Sequence, residues 1–201
     1  SAPSGAGKTS LVSALIEQDP SIQVSVSHTT RTKRCGEKNG HHYFFIDTKT
    51  FDAMEKADEF IEHAKVFGNH YGTSRRMILD LVLSGTDVLL EIDWQGAEQI
   101  RAGWHESESL TSIFILPPNL ESLVERLKKR GQDDEFEIAK RIANATAEIA
   151  HCNDFDYTII NDDFEEATKE LQEIMNSVRQ GIRLTPRNVE HLVTRLLSHD
   201  T

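Results

Sequence analysis

The run Ala2-Pro3-Ser4-Gly5-Ala6-Gly7-Lys8-Thr9 at the start of the chain has the composition of a phosphate cradle. Gly5 and Gly7 let the backbone bend so that successive N–H groups face one concavity. The apolar positions Leu11, Val12, Leu15 and Ile16 predict a helix over residues 7–18. The N-terminus of that helix adds partial positive charge at the same spot. Lys8 supplies a full cation for β- and γ-phosphates, and the Thr9 hydroxyl can reach Mg²⁺. The pattern G-x-x-x-x-G-K-[ST] is complete except that Ala2 replaces its first glycine. A Gly-rich turn capping an ordinary helix is the competing explanation. Lys-Thr followed at once by a helical pattern favours phosphate. Such a loop normally follows a buried strand. Only Ser1 precedes Ala2, so the expectation is that the first strand is missing from the chain as given.

A second group of cations follows. Ser27-His28-Thr29-Thr30-Arg31-Thr32-Lys33-Arg34 places two arginines three apart, just after a segment that reads as a strand. Guanidinium forks bind two phosphate oxygens at once. An exposed basic loop is the simpler alternative. The position, near the carboxyl end of the sheet expected to carry the phosphate loop, points instead to a second phosphorylated substrate and to phosphoryl transfer.

The elements that must hold these groups alternate along the chain. Residues 22–28 alternate apolar and polar and read as one strand, 29–42 as a polar loop and 43–46 as a short strand. A short helix is expected from Thr50, a strand over 60–67, and a helix over 74–84 ended by Gly85. The apolar runs 88–93, 113–116 and 157–160 read as buried parallel strands, with Pro117-Pro118 stopping the second. Helices are expected at about 119–130, 135–150 and 163–180. The fold class is α/β: a parallel sheet flanked by helices on both faces.

The 201 residues suit one domain with small insertions. A net charge of −11 argues against nucleic-acid and membrane-surface binders, and the clusters Arg31/Lys33/Arg34 and Arg126/Lys128/Lys129/Arg130 suit a small anionic ligand. No apolar run approaches the ~20 residues of a membrane span. Cys35 and Cys152 are far apart, which fits a reduced, cytoplasmic protein. The nine histidines show no metal-ligand spacing.

Residues 25–43 read Ser-Val-Ser-His-Thr-Thr-Arg-x-x-Arg-x-Gly-Glu-x-x-Gly-x-x-Tyr. With Phe60–Ala64, Gly68–Thr73, Glu91-Ile92-Asp93-Trp94-Gln95-Gly96, Ile113–Pro118 and Asn161-Asp162-Asp163, this order of blocks resembles guanylate kinase, bacterial members above all, over about residues 1–180. The resemblance implies a P-loop kinase fold with a GMP-binding insertion at about 29–82 and a mobile lid at about 119–150. It implies ATP-dependent phosphorylation of GMP, and of dGMP, with Mg²⁺. Arg31, Arg34, Tyr43 and Tyr71 would hold the GMP phosphate. Glu62 and Asp93 would accept from the guanine nitrogens, with Ser27 and Thr73 near O6. Loop residues 2–9 and Asn161 would bind ATP, Thr9 would meet Mg²⁺, and Lys8, Arg31, Arg130 and Arg141 would neutralise charge during transfer. Glu91 stands where an Asp is usual, and Cys35 between Arg34 and Gly36 where Pro or Ala is common. Two other readings stay open: a guanylate-kinase-like module that binds phosphorylated peptides without chemistry, and a related kinase of another phosphorylated sugar or nucleotide. The intact Gly5, Gly7, Lys8 and Thr9 favour an enzyme.

Residues 181–201 form a tail. Thr185-Pro186 reads as an N-cap and first helical residue, and Val189, Leu192, Val193, Leu196 and Leu197 then fall on one face. That stripe must be buried against its own domain or a second subunit, so a contribution to a homo-oligomer is expected.

Overall fold

The computed structural model describes residues 1–66, 68–104, 110–130 and 135–198, with the side chain of Arg130 outside the description. Along the chain run α1 (Lys8–Gln18), β1 (Ile22–Val24), β2 (His28–Thr29), β3 (Phe44–Phe45), α2 (Thr48–Lys56), β4 (Phe60–Val66), β5 (Asn69–Ser74) and α3 (Arg75–Leu83). They are followed by β6 (Asp87–Leu89), α4 (Trp94–Gly103), β7 (Ile113–Leu116), α5 (Leu120–Arg130), α6 (Glu135–Ile149), β8 (Tyr157–Ile160), α7 (Phe164–Arg179) and α8 (Glu190–Ser198). Two compact units result, one of Ser1–Gln18 with Thr111–Thr201, the other of Asp19–Leu110.

The first unit is organised by the parallel pair β7–β8, in register from Ile113↔Tyr157 to Leu116↔Ile160. The register is pinned where both strands begin. Asp156 Oδ2 accepts from the Ser112 N–H (2.8 Å) and hydroxyl (2.7 Å), while the Ser112 hydroxyl accepts from the Asp156 N–H (3.0 Å). At the far end the Asn161 N–H donates to Leu116 O (2.8 Å), so the ladder runs on to a residue expected in the site. Ser1 lies beside β7 in the same manner, with its N donating to Ile113 O (2.7 Å) and its carbonyl accepting from Ile115 (2.9 Å). α7 begins at the Asp163 cap, which accepts from the Glu166 N–H (2.9 Å). Ala167, Leu171 and Ile174 turn its apolar face inward.

The tail departs from expectation. Thr185 and Pro186 do not open a helix; α8 starts at Glu190, capped by Asn188 Oδ1 (3.0 Å). Residues 182–189 run without regular structure and are tied down along the way. Leu184 N–H donates to the Tyr157 hydroxyl (3.1 Å), and Arg187 pairs with Glu170 (3.0 Å). The stripe of α8 then closes on its own unit: Val189, Val193 and Leu196 are buried with Phe114, Leu116, Ile149 and Cys152. Most of the apolar stripe is thus buried within the chain, while Leu197 stays 37% exposed.

In the second unit, two expected strands are shortened. The segment read as one strand over 22–28 is broken: β1 pairs in parallel with β6, and β2 joins a different, four-stranded sheet of order β3-β2-β5-β4. The run 88–93 is not a buried strand. β6 stops at Leu89 because its partner β1 is three residues long, and residues 87–93 are only half-buried. The mixed sheet contains the antiparallel hairpin β4–β5, with a register shift between Phe60 and Glu62. Phe51 and Phe60 stack behind it at 4.6 Å between centroids. β5 went unpredicted because Asn69-His70-Tyr71-Gly72-Thr73-Ser74 has no apolar alternation.

Leu196→Ala opens a cavity in the cluster that joins α8 to β7. It should lower unfolding free energy by about 2–4 kcal/mol, read as a reduced urea midpoint at unchanged slope.

Candidate functional site

In the first unit the glycine loop runs on from Ser1, beside β7, and turns sharply, with the Ala6 N–H donating to Pro3 O at 3.1 Å. Gly5 (φ 93°) and Gly7 (φ 97°) both occupy the left-handed region that other residues avoid. Ala2 does not take up positive φ, which is why alanine serves where the motif has glycine. Space matters as well as φ. A Cβ on Gly5 would press on Leu123 (3.2 Å) and Leu127 (3.3 Å) of α5, and one on Gly7 would strike the Asn161 amide.

Two side chains hold the loop from behind. Asn161, 4% exposed, donates from Nδ2 to Ala6 O at 2.7 Å. Arg126 donates to the same carbonyl (3.2 Å) and to Asn161 O (2.8 Å). With this carbonyl engaged from behind, the loop keeps one shape. Arg141 reaches the loop from α6, donating to the Ser4 hydroxyl at 3.1 Å. Lys8 is half-buried and Thr9 exposed in the first turn of α1. Beside them opens a cleft of about 330 Å³ lined by Gly5, Gly7, Arg126, Lys129, Asn161 and Phe164, among others. Two cations, Arg126 and Lys129, and the Phe164 ring line it together with Asp162, a lining that offers charge for a polyphosphate and an apolar surface for an aromatic base.

The second unit gathers the other expected residues. Glu62 on β4 is 4% exposed and Thr73 on β5 is 1% exposed. The Thr73 hydroxyl donates to Glu62 Oε1 at 2.5 Å and lies 3.2 Å from the Ser27 hydroxyl. This chain of two hydroxyls and a carboxylate offers acceptors and a donor in a row. Asp93 caps α4, with Oδ1 accepting from the Gly96 N–H (2.9 Å) and Oδ2 from Gln95 (3.2 Å). The strand-end cap that competes with a ligand role for this residue is thus present.

The cationic cluster lies on the same unit. Arg31 sits over the Tyr43 ring at 5.4 Å, and the Tyr43 and Tyr71 rings are 5.9 Å apart. Burial pushes the Tyr43 phenol up from its ordinary value, so it stays a neutral donor. Thr29, fully buried, shapes the loop by donating to His70 O (2.9 Å) and accepting from the Arg31 N–H (3.1 Å). The Arg34 side chain is exposed. Arg130 ends α5, and its role lies outside the described residues.

Sequence reasoning passed over several residues. Glu37 holds Arg31 with two hydrogen bonds, 2.6 and 3.1 Å, and accepts from the Arg34 N–H at 2.7 Å. Its signal was its place in the Arg-x-Gly-Glu run. Arg126 stood only as one member of a basic cluster, and nothing in the sequence tied it to Ala6 O. No group of three or more His, Cys, Asp and Glu side chains among the described residues could hold a metal. No described helix is long and apolar enough to cross a membrane.

Similarity to known proteins spans nearly the whole chain. The family model described as "Guanylate kinase" matches residues 1–178. A guanylate kinase of Photorhabdus laumondii is 50% identical over 200 residues, covering 98% of this chain and 95% of the relative. The guanylate kinase of Escherichia coli strain K12 is 49% identical over the same span. A crystal structure of guanylate kinase from Anaplasma phagocytophilum superposes with a TM-score of 0.71 at 37% identity, covering 98% of this chain and 91% of that one.

The Arg31 hydrogen bonds hold the Glu37 carboxyl below its ordinary value of 4.5. The pair therefore stabilises fully above that pH, and its contribution is lost as pH falls through the lowered value. Thermal unfolding of wild type and Glu37→Gln should differ by a constant amount at neutral pH. The two curves should converge only in acid, below the ordinary carboxylate range.

Proposed function

The chain belongs to the guanylate kinase family and is an ATP-dependent GMP kinase, and from that premise we propose which residues do the work. The carrying observation is Glu62, buried beside Thr73 and Ser27. Guanine presents N1–H and N2–H₂ donors beside the O6 acceptor. The carboxylate meets the nitrogens, with Asp93 beside its own cap as a second acceptor, and the hydroxyls face O6. Adenine reverses this pattern: its N1 is an acceptor and it carries a donor where guanine has O6. The opposed acceptors would lie buried and unpaired. The GMP phosphate goes to Arg31, Arg34, Tyr43 and Tyr71. dGMP carries the same base and the same phosphate, so the same contacts serve it.

ATP is assigned to the other unit. Loop residues 2–9 wrap its phosphates, Lys8 neutralises the β and γ groups, and the base enters the cleft past Asn161. Asn161 acts by holding Ala6 O as well as by lining the cleft. Magnesium fits this loop: Thr9 is exposed in the first turn of α1, and a small hard cation that keeps waters and phosphate oxygens needs one protein hydroxyl. When bound with ATP, the ion neutralises charge on the β- and γ-oxygens. Transfer is a displacement: a GMP phosphate oxygen bonds to the γ-phosphorus as the bond to the β–γ bridging oxygen breaks, leaving GDP and ADP. No covalent enzyme intermediate is needed, only alignment and charge neutralisation. Arg31 orients the acceptor, and Arg130 and Arg141 add charge from a lid at about 119–150. The contact between Arg141 and Ser4 supports that reach. The unit 19–110, which contains every proposed GMP contact, supports an acceptor-binding insertion near 29–82. Two free cysteines and a charge of −11 suit a cytoplasmic setting without nucleic-acid partners.

A coupled ADP-release assay with GMP, dGMP, AMP and ribose 5-phosphate tests the whole reading. GMP and dGMP should release ADP, AMP and the sugar phosphate should not, and silence with GMP refutes it. Lys8→Ala should cut turnover by about 10²–10³-fold with a smaller change in GMP KM. Glu62→Ala should raise GMP KM and narrow the gap to AMP; unchanged selectivity would remove Glu62 from the guanine site.

A further inference from the structure

Gly96 lies in the first turn of α4, and nothing in its backbone needs a glycine. It is absent from the positive-φ residues, and the Asp93 cap receives its N–H at 2.9 Å as it would that of any residue. Glycine is the poorest helix former after proline, so alanine there would favour the helix. What glycine provides is space. A Cβ would stand 2.5 Å from Glu62 Oε2, 3.1 Å from Glu62 Cδ and 3.3 Å from Ile92 Cβ. The first distance is shorter than a carbon–oxygen contact allows.

Glu62 has little room to retreat. Its other oxygen takes the Thr73 hydroxyl at 2.5 Å, and the residue is 4% exposed. The strand beneath it is clamped to the same helix. Gln99 donates to His63 O (2.7 Å) and accepts from the His63 N–H (3.0 Å), which is the pair of bonds a neighbouring strand would make. The register shift between Phe60 and Glu62 lies next to this clamp, at the kind of irregularity that re-aims a side chain.

We propose that Gly96 is a specificity-determining residue: by lacking a side chain it lets the buried Glu62 carboxylate lie against α4, aligned for both N1–H and N2–H₂ of the base. Gln99 is the positioning residue that holds β4 at that distance. The proposal rests on the reading of Glu62 as the guanine acceptor. Its chemical signature is the discrimination between GMP and IMP. Hypoxanthine keeps N1–H and O6 and lacks the 2-amino group. Preference for GMP over IMP therefore reports the alignment of the carboxylate with the second nitrogen.

The test measures kcat and KM for GMP, IMP and ATP by ADP release on the full chain. The variants are Gly96→Ala, Gln99→Ala, Glu62→Gln and the double variant Gly96→Ala/Glu62→Gln. Gly96→Ala should raise GMP KM and shrink the GMP/IMP preference by about tenfold or more, with ATP KM within about twofold. Gln99→Ala, which adds no bulk, should move both in the same direction by about threefold and stands in should Gly96→Ala not fold. In the Glu62→Gln background, Gly96→Ala should change the preference no further, because both act through one group. Wild-type preference in both Gly96→Ala and Gln99→Ala, with Glu62→Gln impaired, overturns this proposal alone. Equal damage to ATP and GMP KM overturns it as a general structural defect. Unchanged preference in Glu62→Gln overturns the guanine reading and this proposal with it.

Discussion

A carboxylate taken almost completely out of water must be met by donors and a fitting surface, because burying an unpaired charge costs several kcal/mol. Glu62 is that group here, and much of the second unit is arranged around it. Thr73 supplies a hydroxyl donor from the adjacent strand, and Ser27 lies next to that hydroxyl. α4 supplies a flank without a side chain at Gly96 and a clamp at Gln99. Asp93 starts that helix and so sets where the flank stands. The polar character of β5, which hides it from pattern reading, follows from the same demand.

The first unit solves a different problem by the same means. Its loop carries two positive-φ glycines and is intrinsically pliable, so its shape has to be held from outside. The carbonyl of Ala6 is the handle: Asn161 and Arg126 both donate to it, and Arg126 also binds the Asn161 carbonyl. These partners come from the end of β8 and from α5, 155 and 120 residues further along the chain respectively. The Ser112–Asp156 exchange that pins β7 against β8 thereby also sets where Asn161 meets the loop. Stability of the strand register and shape of the phosphate cradle are one mechanical system.

Local patterns made much of this legible. The glycine loop and α1, the strands 113–116 and 157–160, α7 with its Asp163 cap, and the arginine loop all carry short-range signals whose physics is contained in a few neighbouring residues. Other features, besides β5, did not have such signals. The break of 22–28 into β1 and β2 reflects a change of sheet partner at Ser25–Ser27, where the side-chain pattern itself does not change. The start of α8 was misplaced by four or five residues because Thr185-Pro186 is a sound local cap that loses to tertiary ties at Leu184 and Arg187. The apolar stripe of the tail was visible, but its destination was not.

The amino-acid sequence alone determined the chemistry on offer: a cation and hydroxyl behind two glycines, a pair of arginines, a carboxylate on a strand, and a fold alternating strands with helices. Each depends on residue type and near neighbours, and those are written in order along the chain. The tertiary structure decided which atoms meet. It gave Glu62 a hydroxyl partner and an open helix flank, gave Arg31 a carboxylate partner in Glu37, and gave the Ala6 carbonyl two distant donors. Such contacts depend on strand register and on which face of a helix is turned inward. Those choices are settled only when the whole core packs, since a shift of one residue moves every side chain to the opposite face.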